Sequence, residues 1–248
     1  MSDQTVSFGY EDVAPEEKTR RVGAVFSNVA SKYDVMNDAM SAGLHRVWKD
    51  RFVRRVKPQQ YEAILDMAGG TGDIAFRMAD KGASITVCDI NQEMLDVGVE
   101  RSMDRTGSAI EGPMVWSCQN AESLNFPSNS FDAYTIAFGI RNVTDIPKAL
   151  REAHRVLRPG GRFFCLEFST VEWPGVREAY DLYSDKLVPK LGKLIADDED
   201  SYRYLVESIR RFPPMPRFKQ MIADGGFVNT KVEAIFGGLV AIHSGWKI

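Results

Sequence analysis

The stretch Asp66-Met67-Ala68-Gly69-Gly70-Thr71-Gly72-Asp73 directly follows the apolar run Ala63-Ile64-Leu65. A strand, a glycine-rich turn and the amphipathic stretch at residues 74–80 are typical of the first unit of a parallel α/β sheet. Gly69, Gly70 and Gly72 let the main chain turn sharply and come close to a ligand. In open α/β sheets, ligands bind at the carboxyl ends of the strands, where this turn lies. The turn therefore predicts a fold class and a binding site together.

Short apolar runs and amphipathic stretches alternate through the middle of the chain. The predicted strands are 63–67, 84–88, 114–118, 131–138 and 162–168, and the predicted helices between them are 74–80, 92–105 and 146–157. This alternation predicts an α/β fold with a mostly parallel sheet that helices cover on both faces. Beyond Ser169 the pattern changes to predicted helices at 173–195, 200–211 and 217–224, followed by strands at 227–234 and 239–243.

Only residues 235–238 separate the last two predicted strands, which favours an antiparallel C-terminal hairpin at the sheet edge. The whole chain is thus predicted to form one domain around a seven-stranded sheet. Residues 1–55 precede the first of these strands and are interpreted as an N-terminal helical lid on a domain of residues 56–248. The helices after the fifth strand are interpreted as an insertion.

Composition narrows the class of protein. A chain of 248 residues with 44% hydrophobic and 26% charged residues is typical of one soluble globular domain. The formal net charge of −3 gives no reason to expect nucleic-acid binding. Residues 1–17 lack the features of a secretory signal, and no apolar stretch approaches the ~18 residues of a membrane span. We therefore expect a cytoplasmic protein in which Cys88, Cys118 and Cys165 are reduced, buried thiols, not metal ligands.

Two nucleotide cofactors match the glycine spacing. Residues 70–75 satisfy the dinucleotide pattern G-x-G-x-x-A, and Asp89 ends the second predicted strand, where a carboxylate binds ribose hydroxyls. A dinucleotide would place its pyrophosphate between Asp66 and Asp73, and each carboxylate–phosphate repulsion at ~4 Å is on the order of several kcal/mol. S-adenosylmethionine has no phosphate and carries a sulfonium and an ammonium. The two carboxylates therefore favour S-adenosylmethionine over NAD.

Asn120 follows the third predicted strand at the same edge of the sheet. Its amide carbonyl and NH2 match the exocyclic amine and N1 of adenine. The alternative is that Asn120 caps the next turn. Beside Thr71 and Asp89, the adenine role is favoured. A seven-stranded sheet of this kind with a methyl donor indicates, by analogy, the Rossmann-like fold of class I methyltransferases.

The end of the fourth strand faces the transferable methyl group in that fold. Here it reads Phe138-Gly139-Ile140-Arg141-Asn142-Val143-Thr144-Asp145. The guanidinium of Arg141 is suited to stabilise an oxyanion of the acceptor, and Asn142 to orient a hydroxyl or a water. The alternative is that Arg141 faces solvent; we assign the capping of the next helix to Thr144. The three histidines, His45, His154 and His243, are interpreted as structural.

Longer patterns show that the chain resembles the ubiquinone/menaquinone biosynthesis C-methyltransferases of the UbiE type. The resemblance runs from about Phe26 to Lys247. The matching segments, besides residues 138–145, are 33–37 with Ser41, His45 and Trp48, then 155–161, 166–169, 201–205 and 207–210. Such long patterns are far more specific than a glycine loop.

The resemblance implies methylation of a ring carbon of a polyprenyl benzoquinol, and also of demethylmenaquinol, with S-adenosylmethionine as cofactor. In that family the residues that match Thr71, Asp89, Asn120 and Ala121 contact the cofactor. The chain departs from the family at Ala137, where members often carry Ser. The alternatives are a methyltransferase for another small-molecule or lipid acceptor, a nicotinamide-dependent reductase, and an inactive binding module.

The isoprenoid tail of such an acceptor lies in lipid. We therefore expect peripheral contact with the inner face of the membrane through the apolar side of the predicted helix 173–195, with Lys186, Lys190 and Lys193 near the headgroups. The alternatives for that apolar side are ordinary packing on the sheet and a homodimer interface. Partners in a complex of quinone-making enzymes are also compatible with the family resemblance. The residues alone do not identify the base that deprotonates the acceptor; Tyr33, Asp34, His45 and a water are the candidates.

Overall fold

The computed structural model describes residues 5–29, 38, 41, 43–105, 112–169 and 199–248. In chain order, its elements are β1 (Val6–Phe8), β2 (Glu11–Val13), α1 (Pro15–Val29), α2 (His45–Val56), β3 (Ala63–Met67), α3 (Asp73–Ala79), β4 (Ser84–Asp89), α4 (Gln92–Asp104), β5 (Met114–Cys118), β6 (Phe131–Ala137), a 3-10 turn (Ile140–Asn142), α5 (Ile146–Val156), β7 (Leu157–Phe168), α6 (Glu199–Arg211), α7 (Met215–Asp224), β8 (Val228–Ile235), a second 3-10 turn (Phe236–Gly238) and β9 (Val240–Trp246).

Within these residues, seven strands form one sheet in the order β5-β4-β3-β6-β7-β9-β8. The strands β3 to β7 pair in parallel, whereas β9 pairs antiparallel with both β7 and β8. The predicted fold class, a mostly parallel seven-stranded sheet with an antiparallel C-terminal hairpin, is confirmed. The order reverses between β3 and β6, and ligands bind at such a switch point in open α/β sheets.

The strands form because their apolar side chains point alternately to two cores. In β3, Ile64 packs in the core that α2, α3 and α4 cover, whereas Leu65 and Met67 pack in the core that α5 and α7 cover. Trp48 of α2 and Phe218 of α7 are almost completely buried, one in each core. The two cores hold the sheet from both faces and leave the carboxyl ends of its strands to build a site.

Several local predictions were wrong. The N-terminal segment begins with the antiparallel hairpin β1–β2, whose strands are too short to produce a periodic pattern. Asp145, not Thr144, caps α5, because its carboxylate accepts from the main-chain N–H of Lys148 at 2.9 Å.

Two further predictions need correction, and a third concerns residues outside the described ranges. Cys88 and Cys165 are buried, but Cys118 is exposed, because the last side chain of β5 turns toward the surface at the sheet edge. His243 lies within β9 and not at its end. The predicted helix 173–195, with its proposed membrane-facing side chains, lies outside the described residues.

Candidate active site

A cleft lies at the carboxyl ends of β3, β4 and β6. It encloses about 1100 Å³, including the space open to solvent. Of the predicted site residues, it is lined by Asp66, Gly69, Gly70, Thr71, Asp89, Asn120, Ala121 and Asn142. These residues are far apart in the sequence, and the parallel sheet brings them to one edge. Arg141 is absent from this set.

The floor of the cleft has an unusual main chain. Ala68, after β3, has φ 52°, and Phe138, after β6, has φ 57°, values that side-chain-bearing residues seldom adopt. Gly139 lets these neighbouring turns come together, since a Cβ at position 139 would lie 2.4 Å from the Cβ of Ala68. Such backbone conformations cluster at functional sites, because only the surrounding structure holds them.

Asp66 is the last but one residue of β3 and is buried beneath the turn. Its Oδ1 accepts a hydrogen bond from Thr135 Oγ1 at 2.7 Å, on the neighbouring strand β6. Its Oδ2 is buried and has no hydrogen-bond partner among the residues described. Burial raises the pKa of Asp66 to about 7. A cation that binds beside Asp66 therefore favours the ionised form of this carboxyl group.

Asp89 ends β4 and holds the glycine turn in place. Its Oδ2 accepts from the main-chain N–H of Gly70 at 3.0 Å, and its Oδ1 accepts from that of Asn91 at 2.9 Å. Burial raises the pKa of Asp89 to about 6, although these hydrogen bonds act in the opposite direction. Gly70 has φ +52°, a main-chain conformation that glycine adopts without strain. Asp89 thus lies beside the glycine turn and lines the cleft, and its contact with a ribose stays a prediction.

The carboxylate of Asp73 is already paired with two cations, which the sequence did not predict. Its two oxygens accept from Lys49 Nζ at 2.8 Å and from Arg77 Nε at 2.9 Å. Burial opposes ionisation, but the attraction of the two cations outweighs it and lowers the pKa of Asp73 to about 2. Lys49 and Arg77 neutralise the charge of Asp73. Asp66, and not Asp73, is therefore the carboxylate that favours a cationic cofactor.

The predicted adenine end of the cleft lies beyond β5. The Oδ1 atom of Asn120 accepts from the main-chain N–H of Glu122 at 2.9 Å, so the carbonyl closes its own turn, as the alternative interpretation required. Its NH2 group remains available to donate a hydrogen bond to a ligand. Ala121 is buried beside it. The hydroxyl of Thr71 accepts from Arg101 Nη1 at 3.0 Å, and this links the turn to α4.

Helix α1 crosses the cleft and supplies residues that sequence reasoning missed. Asn91 is the N-cap of α4, and its Oδ1 accepts from the main-chain N–H of Met94. Its Nδ2 donates to the Gly23 carbonyl at 3.2 Å and to Ser27 Oγ at 3.0 Å. Asn91 thereby ties α1 to the sheet edge. The cleft-lining residues of α1 are Thr19, Val22, Gly23 and Phe26. Residues spaced by three or four positions lie on one face of a helix, and this spacing was the sequence signal that could have found them.

Arg141 lies in the 3-10 turn after β6, but it does not line the cleft. Its Nη1 donates to the Glu167 carboxylate at 2.8 Å and to the Phe138 carbonyl at 2.6 Å, and its Nε donates to Ser208 Oγ at 3.3 Å. The residue is buried and lines a neighbouring, smaller cavity. The predicted direct contact with an acceptor oxyanion stays a prediction.

Asn142, by contrast, lines the cleft. Its Oδ1 accepts from the hydroxyl of Tyr204 on α6 at 3.0 Å. Burial raises the pKa of Tyr204, so this hydroxyl stays protonated and keeps donating. Tyr204 was not singled out from the sequence, because only tertiary packing brings α6 to the end of β6.

The candidate bases are only partly within the described chain. Tyr33 and Asp34 lie outside it. The ring of His45 is buried, with Nε2 2.9 Å from Asp38 Oδ1, and it is not part of the cleft lining. Within the described ranges, no group of three or more His, Cys, Asp or Glu side chains could hold a metal ion.

Comparison with protein families gives a match over nearly the whole chain. The model of the ubiE/COQ5 methyltransferase family matches residues 14–247. A protein of Zymomonas mobilis subsp. mobilis, named ubiquinone/menaquinone biosynthesis C-methyltransferase UbiE, is 60% identical over 99% of this chain and 100% of its own length. The mitochondrial 2-methoxy-6-polyprenyl-1,4-benzoquinol methylase of Arabidopsis thaliana is 52% identical over 100% of this chain and 92% of its own.

Solved structures share the fold at low sequence identity. A methyltransferase of Thermotoga maritima, described as S-adenosylmethionine-dependent and as a possible histamine N-methyltransferase, has TM-score 0.64 and 16% identity, over 91% of this chain and 99% of its own. A phosphoethanolamine N-methyltransferase of Haemonchus contortus, solved with S-adenosyl-L-methionine, has TM-score 0.57 and 15% identity, over 81% of this chain and 52% of its own. At these identities the likeness extends to the fold alone.

Proposed function

This chain belongs to the ubiE/COQ5 methyltransferase family, and from that premise we propose that it methylates a ring carbon of a polyprenyl benzoquinol, with S-adenosylmethionine as the methyl donor. The Arabidopsis relative is named for a polyprenyl benzoquinol, and the Zymomonas relative for both ubiquinone and menaquinone biosynthesis. The proposed acceptors therefore include demethylmenaquinol. The chain is an S-adenosylmethionine-dependent C-methyltransferase in either case.

The observation that carries this proposal is the buried Oδ2 of Asp66, which has no partner within the described residues although it lies at the floor of the cleft. An unpaired buried carboxylate is costly, and a bound cation removes that cost. S-adenosylmethionine brings two cationic groups, a sulfonium and an ammonium. A dinucleotide brings a pyrophosphate, which Asp66 would repel. The residues present fit the methyl donor.

The other cofactor contacts follow from the same edge of the sheet. Asp89 accepts hydrogen bonds from the ribose hydroxyls, because its carboxylate lies at the cleft beside the Gly70 turn. Asn120 donates to adenine through the NH2 that its own turn leaves free, and Ala121 packs against the base. Gly69 leaves room above Asp66, since a Cβ there would lie 3.2 Å from Asp66 Oδ2. Thr71 completes the wall of the cleft.

The chemistry at the acceptor requires a nucleophilic ring carbon. Bound S-adenosylmethionine supplies an electrophilic methyl group on a positively charged sulfur. A phenol ionises near pH ~10, as tyrosine does, so a neutral hydroquinone is a weak carbon nucleophile. Asn142 donates its NH2 to the acceptor oxygen and so stabilises the phenolate, since Tyr204 occupies its carbonyl.

Arg141 supports this arrangement from behind. By donating to the Phe138 carbonyl and to Glu167, it holds the 3-10 turn that presents Asn142 to the cleft. Arg141 is therefore proposed to act on the acceptor mainly through the position of Asn142.

The cofactor part of the proposal is tested by thermal shift. S-adenosylmethionine is expected to raise the melting temperature, whereas NADH at the same concentration leaves it unchanged. A rise with NADH alone would overturn the cofactor assignment and favour a reductase.

The acceptor part is tested by turnover with a short-chain demethyl-benzoquinol and a methyl-labelled donor. The labelled carbon is expected on the ring of the product. Cofactor binding without transfer to any benzoquinol or naphthoquinol would move the chain to the alternative, a methyltransferase for another acceptor.

Because a polyprenyl tail lies in lipid, peripheral contact with the inner face of the membrane is part of the proposal. Among the described residues, no helix has the length and apolar character of a membrane span. Liposome flotation tests the membrane contact: vesicles that contain a polyprenyl quinone are expected to carry the protein upward. Protein that stays at the bottom of the gradient, with and without quinone, argues against a membrane-bound mode; the homodimer interface would then be tested by sedimentation.

A further inference from the structure

Helix α2 approaches the cleft beside β6, since the ring centroid of Trp48 lies 6.3 Å from that of Phe138, and Lys49 is the next residue of this helix. Its ammonium lies 2.8 Å from Asp73 Oδ2, and its side chain is only 6% exposed. Yet Lys49 is one of the residues that line the cleft. We propose that Lys49 binds the carboxylate of the methionine part of S-adenosylmethionine and makes the site select a ligand that bears this group. The inference rests on the proposed function.

The direction of the ligand follows from the placement of the other groups. Asp89 and Asn120 follow β4 and β5, on one side of β3, so the adenosine lies on that side. The methionine part must then extend across the β3 turn toward β6 and α3. Lys49 contacts Asp73, the first residue of α3, and therefore lies where this part of the ligand ends.

The charges at that end leave Lys49 available to an anion. Asp73 is bound by two cations, Lys49 and Arg77, and Arg77 also pairs with Asp50. The single carboxylate of Asp73 is therefore shared and cannot neutralise Lys49 completely. An ammonium has three donors, and of the described residues only Asp73 receives a hydrogen bond from Lys49. Two donors remain for a carboxylate.

Opposite charges are thus separated within one cleft. Asp66 lies below the glycine turn and suits the ammonium of the amino acid, while Lys49 suits its carboxylate. The neighbours of Lys49 hold it firmly, since Trp48 and Phe52 of the same helix are buried in the core. A preformed pair of this kind recognises a zwitterionic amino acid at low cost in conformational entropy.

The experiment compares the dissociation constants of S-adenosylmethionine and decarboxylated S-adenosylmethionine, measured by calorimetry. The two ligands differ only in the carboxylate, so their ratio reports on its binding site. The native protein is expected to prefer S-adenosylmethionine by about tenfold to a hundredfold, as for a charge-assisted hydrogen bond. In Lys49→Gln the ratio is expected to fall close to one, and in Lys49→Arg it is expected to persist.

Arg46→Gln is the matched control. It removes another cation of the same helix, but Arg46 is exposed, pairs with Asp38 and is not part of the cleft lining, so the ligand ratio should stay at its native value. Because both ligands meet the same protein, a general loss of stability in Lys49→Gln changes both constants and leaves their ratio unaffected. A native ratio retained in Lys49→Gln would overturn the inference. Native protein that binds neither ligand would instead overturn the proposed function, and the inference with it.

Discussion

The guanidinium of Arg141 lies 2.8 Å from the carboxylate of Glu167, and their side chains are 4% and 0% exposed. The pair joins the 3-10 turn after β6 to the neighbouring strand β7. Burial raises the pKa of Glu167, while the attraction of Arg141 favours its charged form. The Oε1 atom of Glu167 also accepts from the main-chain N–H of Phe168. The pair is therefore a structural connection directly behind the 3-10 turn, whose Asn142 lines the cleft.

The first prediction concerns the stability of this pair. Arg141→Ala is expected to lower the free energy of unfolding by about 3–5 kcal/mol, because it leaves a buried carboxylate without its cation. The double variant Arg141→Met with Glu167→Leu removes both charges and should lose less. Urea denaturation at pH 7 measures both. Equal losses in the single and the double variant would contradict this account of the pair.

The second prediction separates catalysis from cofactor binding. Arg141→Ala is expected to lower turnover about a hundredfold, since a small displacement of Asn142 disrupts the alignment of the acceptor. The dissociation constant of S-adenosylmethionine should change little, because Arg141 is not part of the cleft lining. Turnover and calorimetry on the same preparation give the two values. Unchanged turnover would remove Arg141 from the mechanism.

The third prediction concerns the pH dependence of cofactor binding. The pKa of Asp66 is raised to about 7, and a cationic ligand favours the ionised form. Affinity for S-adenosylmethionine is therefore expected to rise between pH 5.5 and pH 7.5, with release of a proton on binding. Calorimetry in buffers of different ionisation enthalpy measures that proton. In Asp66→Asn the affinity should be lower and should depend less on pH; a native-like profile in this variant would assign the proton elsewhere.

The fourth prediction is the effect of Asp66 on folding stability. Its folded pKa of about 7 exceeds the usual value of 3.8, so the folded state binds more protons between these two values. The contribution of Asp66 to stability is therefore lost as pH rises from about 4 to about 7. Without ligand, Asp66→Asn is expected to be more stable than the native protein at pH 8 and nearly equal to it at pH 4. Denaturation at both values tests this; a lower stability of the variant at pH 8 would contradict the sign.

The fifth prediction addresses the tether between α1 and the cleft. Asn91→Asp keeps the oxygen that caps α4 but removes the donor to the Gly23 carbonyl and Ser27. Hydrogen exchange is expected to increase in residues 15–29, and the affinity for S-adenosylmethionine to fall. The amides of α4 serve as an internal control, since their cap is preserved. Unchanged exchange in α1 would mean that other contacts hold this helix over the cleft.

The sequence by itself determined the sheet and the edge of the sheet at which the cleft lies. The hydrophobic periods of strands (two residues) and helices (3.6 residues) are local properties of the sequence. The glycine turn is local too, because glycine readily adopts the positive φ found at Gly70 and Gly72. The turn after each parallel strand must lie at the same edge of the sheet, whatever the side chains beyond it. For this reason the sequence alone predicted that Asp66, Asp89 and Asn120 lie at one edge of the sheet, where they line one cleft.

Only the tertiary structure decided how the charges of that cleft are shared. Asp66 and Asp73 look alike in the sequence, yet Asp73 contacts Lys49 from α2 and Arg77 from α3, whereas Asp66 is buried with no cationic partner among the described residues. In the same way, Arg141 and Asn142 are adjacent in the chain, but Glu167 draws the first away from the cleft and Tyr204 fixes the second within it. Ionisation and hydrogen bonding depend on distances of a few ångströms to residues far along the chain, and only the packed fold sets those distances.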